Sequence, residues 1–321
     1  MKYLTITIIS TVLLMALFSI KDKHNLYITP QFENSVLKKI ETDSNVTELW
    51  EFRGEKKHIL LINGGPGVPN YLYPIAKHLN DIGYKVVLYN QRGTGNSINQ
   101  DGDFALASYV EDIEKIRKEL NIKAFHLYGH SWGGLLSQLY FSTYPENVKS
   151  LFLSNSAIGT GSEWQIMEKK VMRYNQKQST MLNWIKLGGL SGTSLIPGNI
   201  GDSSSRSMMN LVWKNYFESP KNVEDADQNW LNGIYSTTIN ETRKALVNTK
   251  AFKFEHETTT PITILYGERD IYGEDYDIIF NRFNHSNNVI LSNSGHLPWI
   301  QNKSAYFDIL SNFYENGTNH D

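Results

Sequence analysis

The feature that most constrains the fold is the hexapeptide Gly-His-Ser-Trp-Gly-Gly at residues 129–134. A short apolar, strand-like run precedes it and a helix-like segment follows it. When a serine lies on a sharp turn between a strand and a helix, only small residues fit two positions before and after it. Gly129 and Gly133 occupy those positions. The pattern predicts that Ser131 lies above a strand end, at a helix N-terminus that favours negative charge. A glycine-rich connector without chemistry is the alternative interpretation.

Charge and composition exclude several classes of protein. The 321 residues include 31 Lys and Arg against 33 Asp and Glu, without a basic stripe, so nucleic acid is not an expected partner. The sequence contains no cysteine, which rules out disulfides, thiolate metal sites and a cysteine nucleophile. We expect neither a metal nor a cofactor. Composition leaves the oligomeric state open.

The N-terminal residues differ in character from the rest of the chain. Residues 4–20 form an apolar run diluted only by Thr and Ser, and lysines flank it on both sides. A helix of this length spans about 26 Å, slightly less than the roughly 30 Å hydrocarbon core of a bilayer. No small-residue cleavage pattern is evident. We predict that residues 1–25 are a retained membrane anchor, with a cleaved signal peptide as the alternative. Either places the protein in the cell envelope, in an orientation that the flanking lysines leave open.

Beyond this segment, strand-like and helix-like segments alternate up to about residue 155. Alternation at this spacing predicts an α/β fold with a doubly wound, mostly parallel sheet. Residues 156–258 are instead helix-like and loop-rich, with a Gly/Ser-rich break at residues 188–207, and strands resume afterwards. We therefore predict a core of residues 26–155 and 259–321, with residues 156–258 inserted as a helical cap over the strand ends.

A serine hydroxyl becomes an effective nucleophile only beside a base that an acid orients. In α/β folds with this serine turn, the acid and then the histidine follow later strands. Asp270 follows the predicted strand at residues 262–266, and His296 follows the next strand. We therefore predict a catalytic triad of Ser131, Asp270 and His296, with Glu268 as the rival acid on the same loop.

A serine nucleophile of this type also needs an oxyanion hole made of backbone N–H groups. One N–H comes from the residue after the nucleophile, which is Trp132. The other comes from a loop after an early strand, here Asn-Gly-Gly-Pro-Gly at residues 63–67. Glycine allows the backbone to approach a ligand oxygen closely. We expect Gly65 to be the second donor, with Gly64 as the fallback.

Three motifs occur in order along the chain. Residues 63–67 read Asn-Gly-Gly-Pro-Gly, residues 90–97 read Asn-Gln-Arg-Gly-Thr-Gly-Asn-Ser, and residues 129–134 form the serine turn. They resemble the H-G-G-P-G, D-Q-R-G-x-G-x-S and G-x-S-W-G-G motifs of the proline iminopeptidase family of α/β-hydrolases. With the late aspartate and histidine, the resemblance covers roughly residues 50–155 and 260–315. It implies a serine hydrolase with a helical cap and no cofactor, which removes an N-terminal residue, often proline, from peptides.

Two positions depart from that family pattern. Asn63 replaces a histidine and Asn90 replaces an aspartate, so each exchange keeps a hydrogen-bonding side chain but removes a titratable one. We expect Asn90 to interact with Arg92 less strongly than a carboxylate would. Because of the two exchanges, the sequence predicts strict specificity for N-terminal proline less firmly than the family motifs alone would. In family aminopeptidases, cap glutamates bind the free amine of the substrate. The candidates here are Glu218 and Glu241, with solvated helix carboxylates as the alternative.

The predicted cap also holds four of the seven tryptophans, at positions 164, 184, 213 and 230. We expect most of them to form the cap's own small core and one or two to line an apolar substrate pocket. The leading functional prediction is an aminopeptidase that forms an acyl-enzyme with a small molecule or short peptide. A carboxylesterase or amidase is the second interpretation, and a non-catalytic ligand-binding protein on the same fold is the third.

Overall fold

An eight-stranded sheet forms the centre of the computed structural model, which describes residues 26–218, 228–273 and 275–316. In chain order the strands are β1 (Ser35–Glu41), β2 (Val46–Phe52), β3 (His58–Ile62), β4 (Lys85–Tyr89), β5 (Phe125–His130), β6 (Val148–Ser154), β7 (Ile262–Gly267) and β8 (Asn287–Leu291). Their order across the sheet is β1-β2-β4-β3-β5-β6-β7-β8. β2 pairs antiparallel with β1 and with β4, and the other neighbours are parallel. The predicted doubly wound, mostly parallel sheet is confirmed.

The strand sequences explain which strands are central. β3 and β4 read His-Ile-Leu-Leu-Ile and Lys-Val-Val-Leu-Tyr, and every residue of both after the first is buried. Such continuous apolar runs suit parallel strands that are covered on both faces. β1, by contrast, contains no fully buried residue and lies at the sheet edge. Its polar composition is why the sequence pattern did not predict it.

Helices cover both faces of this sheet. Three of them follow early strands: α1 (Tyr73–Asp81), α2 (Leu106–Glu119) and α3 (Trp132–Thr143). Alternate residues of β3 pack in different apolar clusters. Leu60 and Ile62 belong to one cluster, and Ile59 and Leu61 belong to the other. Because side chains of a strand alternate between the two faces, the sheet separates two hydrophobic cores.

The cap helices lie between β6 and β7 in the chain. They are α4 (Ser162–Gln178), α5 (Met181–Thr193), α6 (Asn199–Val212), α7 (Gln228–Asn232) and α8 (Ser236–Asn248). After β7 the chain forms α9 (Asp277–Arg282), β8, α10 (Pro298–Gln301) and α11 (Lys303–Asn316). The carboxyl ends of β3, β5, β7 and β8 lead directly into the loops that carry Gly65, Ser131, Asp270 and His296, respectively.

The predicted Gly/Ser-rich break at residues 188–207 is instead mostly helical. α5 continues to Thr193 and α6 begins at Asn199. Ser203, Ser204 and Ser205 are buried, and the hydroxyls of Ser204 and Thr193 are 2.7 Å apart. Small polar side chains let these two helices pack closely, so the residues that suggested a break from the sequence form a helix contact instead.

The predicted anchor at residues 1–25 lies outside the described residues, so its role stays a prediction. Within residues 26–218, 228–273 and 275–316, no helix is both long and apolar enough to cross a bilayer.

Candidate active site

Ser131 lies on the turn between β5 and α3, where the sequence places it. Its φ of 57° and ψ of −124° lie in a region that side-chain-bearing residues rarely adopt. Its N–H donates to the Ser154 carbonyl over 3.1 Å, which ties the turn to the end of β6. A Cβ at Gly133 would collide with the carbonyl oxygens of Ile62 and Asn63. Glycine at 133 is therefore what lets the turn lie against the end of β3.

The predicted triad residues meet in one line of hydrogen bonds. His296 Nε2 lies 3.0 Å from Ser131 Oγ, and His296 Nδ1 lies 2.9 Å from Asp270 Oδ2. The three residues expose only 5% (Ser131), 4% (Asp270) and 2% (His296) of their surface. A carboxylate only accepts hydrogen bonds, so Nδ1 carries the proton and Nε2 accepts from the serine hydroxyl. This is the arrangement that a general base needs.

Two further groups hold the Asp270 carboxylate. Its Oδ1 accepts the Tyr272 N–H over 2.7 Å, and its Oδ2 accepts from Asn155 Nδ2. Asn155 follows β6 directly, has a φ of 48°, and also donates to the Gly295 carbonyl over 3.1 Å. It thereby links the acid loop to the histidine loop. Sequence reasoning missed Asn155, and its place just after a strand end was the only signal that could have indicated it.

Tyr272 reaches Ser131 itself. Its phenol oxygen lies 2.8 Å from Ser131 Oγ, and its ring packs edge-on against the imidazole of His296 with centroids 4.8 Å apart. Burial raises the pKa of Tyr272 well above its usual value of 10, so the phenol stays protonated. No local sequence pattern marks Tyr272, although it lies only two positions after the predicted acid.

His130, next to Ser131 in the chain, supports His296 through a hydrogen bond. Its Nε2 donates to the His296 carbonyl over 2.8 Å, and its Nδ1 lies 2.6 Å from the Tyr71 hydroxyl. Burial lowers its pKa well below 6.5, and the nearby His296 adds to that effect. A neutral ring that donates from Nε2 must accept at Nδ1, so Tyr71 is the donor there.

The loop after β3 lies close to Ser131. Gly65 lines the cavity beside Ser131, whereas the Gly64 N–H donates to the Tyr71 hydroxyl over 2.8 Å. Gly64 is therefore already engaged, which favours Gly65 over it as an oxyanion donor. Trp132 is the first residue of α3, so its N–H belongs to the turn that lacks intrahelical acceptors.

A cavity of about 630 Å³ opens between the core loops and the cap, with Ser131 and His296 in its wall. Its cap side is mostly apolar, with side chains such as Met167, Val171, Leu187, Met208, Met209 and Val212. All four cap tryptophans line it as well: Trp164, Trp184, Trp213 and Trp230. This is more than the one or two that we expected to line a pocket. Trp213 and Trp230 also pack on each other in a small cluster, with ring centroids 5.4 Å apart.

In the described parts of the chain, no three His, Asp or Glu side chains are grouped so that they could hold a metal ion. A family model for the α/β-hydrolase fold matches residues 57–303, a stretch that contains the serine turn, the acid and the histidine. The chain belongs to the α/β-hydrolase family.

Comparisons with individual α/β-hydrolases agree with this assignment. A proline iminopeptidase from Chitinophaga pinensis is 34% identical over 142 residues, which are 41% of this chain and 47% of that protein. The match thus spans about half the length of the curated relative. An esterase from Exiguobacterium antarcticum has a similar structure, with a TM-score of 0.63, 16% identity and coverage of 90% of this chain and 100% of that one.

A proline iminopeptidase-related protein from Thermus thermophilus is also similar in structure. Its TM-score is 0.60 at 17% identity, and the match covers 86% of this chain and 95% of that one. At such identities the structural matches demonstrate the common fold. Peptidase-related and esterase relatives occur together, so the fold alone does not select the substrate of this α/β-hydrolase.

The first departure from the family motifs, Asn63, is buried in the loop that carries Gly65. Its Nδ2 donates to the carbonyls of Gly64 and Val68 over 2.8 and 2.9 Å. The Gln91 side chain donates to the Asn63 carbonyl over 2.8 Å and accepts from Trp132 Nε1 over 2.7 Å. Asn63 therefore shapes the loop after β3 in this α/β-hydrolase without needing a titratable group.

The second departure was interpreted incorrectly. Asn90 does not face Arg92; its Nδ2 donates to Glu48 Oε2 over 2.9 Å, and its Oδ1 accepts the Asn70 N–H over 2.9 Å. Arg92 instead forms a two-bond ion pair with Asp112, 2.8 Å at each contact. Adjacent residues on the loop after β4 point in different directions, which spacing along the sequence did not reveal.

The two predicted amine-binding glutamates do not line the cavity. Glu218 pairs with Arg269 and Glu241 pairs with Lys244, each over 2.6 Å. Among the described residues that line the cavity, the charged ones are Glu168 and Arg243, which form a two-bond ion pair at 2.6 and 2.8 Å. Glu168 is therefore the carboxylate that the structure brings to the cavity wall.

Proposed function

We propose that this α/β-hydrolase is a serine hydrolase that transfers an acyl group from its substrate to water through an ester on Ser131. The observation that carries the proposal is the buried line of hydrogen bonds from Ser131 Oγ through His296 to Asp270, at 3.0 and 2.9 Å. A serine on a strained turn, a histidine in contact and a carboxylate behind it are the parts that nucleophilic catalysis requires.

In the proposed reaction, His296 takes the hydroxyl proton as Ser131 Oγ attacks the acyl carbon. Asp270 keeps the imidazole in the required tautomer and stabilises the imidazolium that forms. The N–H groups of Gly65 and Trp132 stabilise the oxyanion. His296 then protonates the leaving group, and a water molecule activated by the same histidine hydrolyses the ester. No metal or cofactor takes part in these steps.

The cavity favours a substrate with a large apolar group. Its cap wall consists mostly of Met, Leu, Val and Trp side chains. Burying apolar surface contributes about 25 cal/mol per Å², so a chain of several methylene groups is the natural occupant. The charged side chains on the wall, Glu168 and Arg243, neutralise each other. We therefore propose hydrolysis of uncharged carboxylic esters or amides with an apolar acyl group.

An aminopeptidase is the second candidate, because a proline iminopeptidase is among the relatives and a carboxylate does reach the cavity. A desolvated ammonium needs a carboxylate partner to offset its lost hydration. Glu168, rather than Glu218 or Glu241, would fill that role, and the substrate would have to displace the guanidinium of Arg243.

Labelling with a fluorophosphonate tests the mechanism. The wild-type chain is expected to react, and Ser131→Ala is expected to lose both labelling and turnover, the latter by about 10⁴-fold or more. Ser292→Ala, on the exposed part of the histidine loop, is the matched control and should label normally. A wild-type chain that neither labels nor turns over any substrate would point to a non-catalytic binding protein instead.

A substrate panel separates the two candidates. We expect p-nitrophenyl esters to be hydrolysed faster as the acyl chain grows from acetyl to octanoyl, and prolyl and alanyl anilides to be poor with or without N-acetylation. Faster cleavage of the free-amine anilides, lost in Glu168→Gln but kept in Glu241→Gln, would establish the aminopeptidase instead. Both variants remove one cap carboxylate from an ion pair, so they are matched.

A further inference from the structure

Tyr272 contacts every member of the proposed triad. Its N–H donates to Asp270 Oδ1 over 2.7 Å, its ring packs on His296, and its hydroxyl lies 2.8 Å from Ser131 Oγ. The residue is buried and lines the same cavity as the nucleophile. If Tyr272 served only to pack the fold, the ring contact would be sufficient. The position of its hydroxyl, next to Ser131 Oγ, indicates a further role.

The direction of the hydroxyl contact follows from proton counting. The serine hydroxyl has one hydrogen, and it is directed to Nε2 of His296 because Nδ1 of that ring donates to Asp270. Ser131 Oγ has no second hydrogen to give, so the 2.8 Å contact is the Tyr272 O–H donating to Oγ. Since the phenol of Tyr272 stays neutral, it remains a donor throughout the reaction.

We propose that Tyr272 is a catalytic residue whose O–H stabilises the electron pair that returns to Ser131 Oγ when the acyl-enzyme is hydrolysed. This inference rests on the proposed serine mechanism. In that step, water adds to the acyl carbon and gives a proton to His296, the carbon–Oγ bond breaks with its electrons going to Oγ, and His296 passes the proton to Oγ. Tyr272 keeps its own proton.

Deacylation gains more than acylation from this contact. Oγ of the acyl-enzyme is an ester oxygen, a weak acceptor, and becomes a strong acceptor only as the bond to carbon breaks. The free serine hydroxyl already accepts the same hydrogen bond before attack. Only interactions that strengthen between the ground state and the transition state raise a rate, so the loss of the phenol should slow deacylation more than acylation.

The test is Tyr272→Phe, which keeps the ring on His296 and removes the hydroxyl. With a p-nitrophenyl ester, we expect kcat to fall on the order of tenfold to a hundredfold, the range for a hydrogen bond to a charged group. KM should fall with it, so that kcat/KM changes much less. Quenched samples should show an acyl adduct on Ser131 by mass spectrometry, in larger amount than in the wild-type chain.

Tyr276→Phe is the matched control, because it removes a phenol from the same segment and its ring packs against Tyr266 and Phe280, away from the cavity lining. Its kcat should equal that of the wild type. Fluorophosphonate labelling reports on attack alone, and Tyr272→Phe should retain it. Loss of labelling, an unchanged kcat, or equal falls in kcat and kcat/KM without an adduct would overturn the inference. Undiminished turnover in Ser131→Ala would instead overturn the proposed function.

Discussion

The core wall and the cap wall of the cavity are built by different interactions. On the core side, Ser131, His296 and Asp270 each make at least two hydrogen bonds. Two of these bonds go to backbone carbonyls at strand ends, from the Ser131 N–H to Ser154 and from the Asp270 N–H to Gly267. On the cap side, the lining is mostly Met, Leu, Val and Trp. These side chains make apolar contacts, which have no preferred direction. The core wall therefore specifies positions to fractions of an ångström, whereas the cap wall specifies only a volume and its polarity.

The glycines reflect the same difference. A Cβ at Gly133, in the serine turn, would meet backbone carbonyl oxygens, whereas a Cβ at Gly192, on an exposed turn of α5, would meet nothing within 4 Å. Core glycines close to Ser131 are required by geometry. The cap glycine at 192 is not, so this exposed position is expected to accept a side chain that position 133 refuses.

The strongest test of the core wall is Asp270→Asn. The amide introduces an NH₂ group, which donates hydrogen bonds, and this group must face either Nδ1 of His296 or the Asn155 side chain. Because the wrong imidazole tautomer is then favoured, kcat should fall by about 10⁴-fold. Steady-state kinetics on the best ester measures this. Glu268→Gln, on the same loop but exposed, should leave kcat unchanged. If the two variants behaved alike, Asp270 would not be the orienting acid.

A methyl group in the serine turn should cost stability as well as activity. Gly133→Ala places a Cβ against the Ile62 and Asn63 carbonyls, which are backbone and cannot rotate away. We expect the free energy of unfolding to fall by about 3 kcal/mol, the upper range for overpacking in a core. Urea denaturation gives the value. A variant with wild-type stability would show that the turn adapts as freely as the cap.

The buried His130 ring predicts a pH dependence of stability that originates in the core. Its pKa is well below 6.5 in the folded chain, so below pH 6.5 the unfolded state takes up a proton that the folded state refuses. The free energy of unfolding should therefore fall by up to about 1.4 kcal/mol per pH unit as the pH decreases from 6.5. Urea denaturation between pH 7.5 and 5 measures this dependence. The free energy of unfolding should fall less steeply with decreasing pH in His130→Gln than in the wild-type chain. His58 and His78, whose pKa values burial also lowers, contribute equally to both proteins. Identical slopes would rule out this role for His130.

The smallest expected effect concerns the cap. Gly192→Ala adds a methyl group in open space within α5, so it should raise the free energy of unfolding by about 0.5–1 kcal/mol through helix propensity. Thermal denaturation checks the sign. Destabilisation would mean that the cap is as tightly constrained at this position as the serine turn.

Several parts of the site could be named from the sequence because their signals are local. Gly129 and Gly133 around Ser131 mark the turn, and Asp270 and His296 each follow a strand end in the required order. The alternation of apolar runs and amphipathic helices predicted the parallel sheet for the same reason: the period of a strand or helix is written in a few consecutive residues. The edge strand β1 and the serine-rich helix contact lacked such a signal.

Other parts have no local signal. Tyr272 and Ser131 are separated by 141 positions, and Asn155 and Asp270 by 115, so their contacts arise only when the sheet brings distant strand ends together. The cap illustrates the same limit, since an apolar helix face has the same period whether it packs on a core or lines a cavity.

By itself, the sequence determined the sheet, the position of the serine turn and the order of serine, acid and histidine along the chain. Only the tertiary structure decided that Glu168 reaches the cavity while Glu218 and Glu241 pair elsewhere, that all four cap tryptophans line it, and that a phenol contacts Ser131. The physical reason is range: backbone periodicity and steric limits act within a few residues, whereas partner choice depends on which surfaces folding brings within hydrogen-bonding distance.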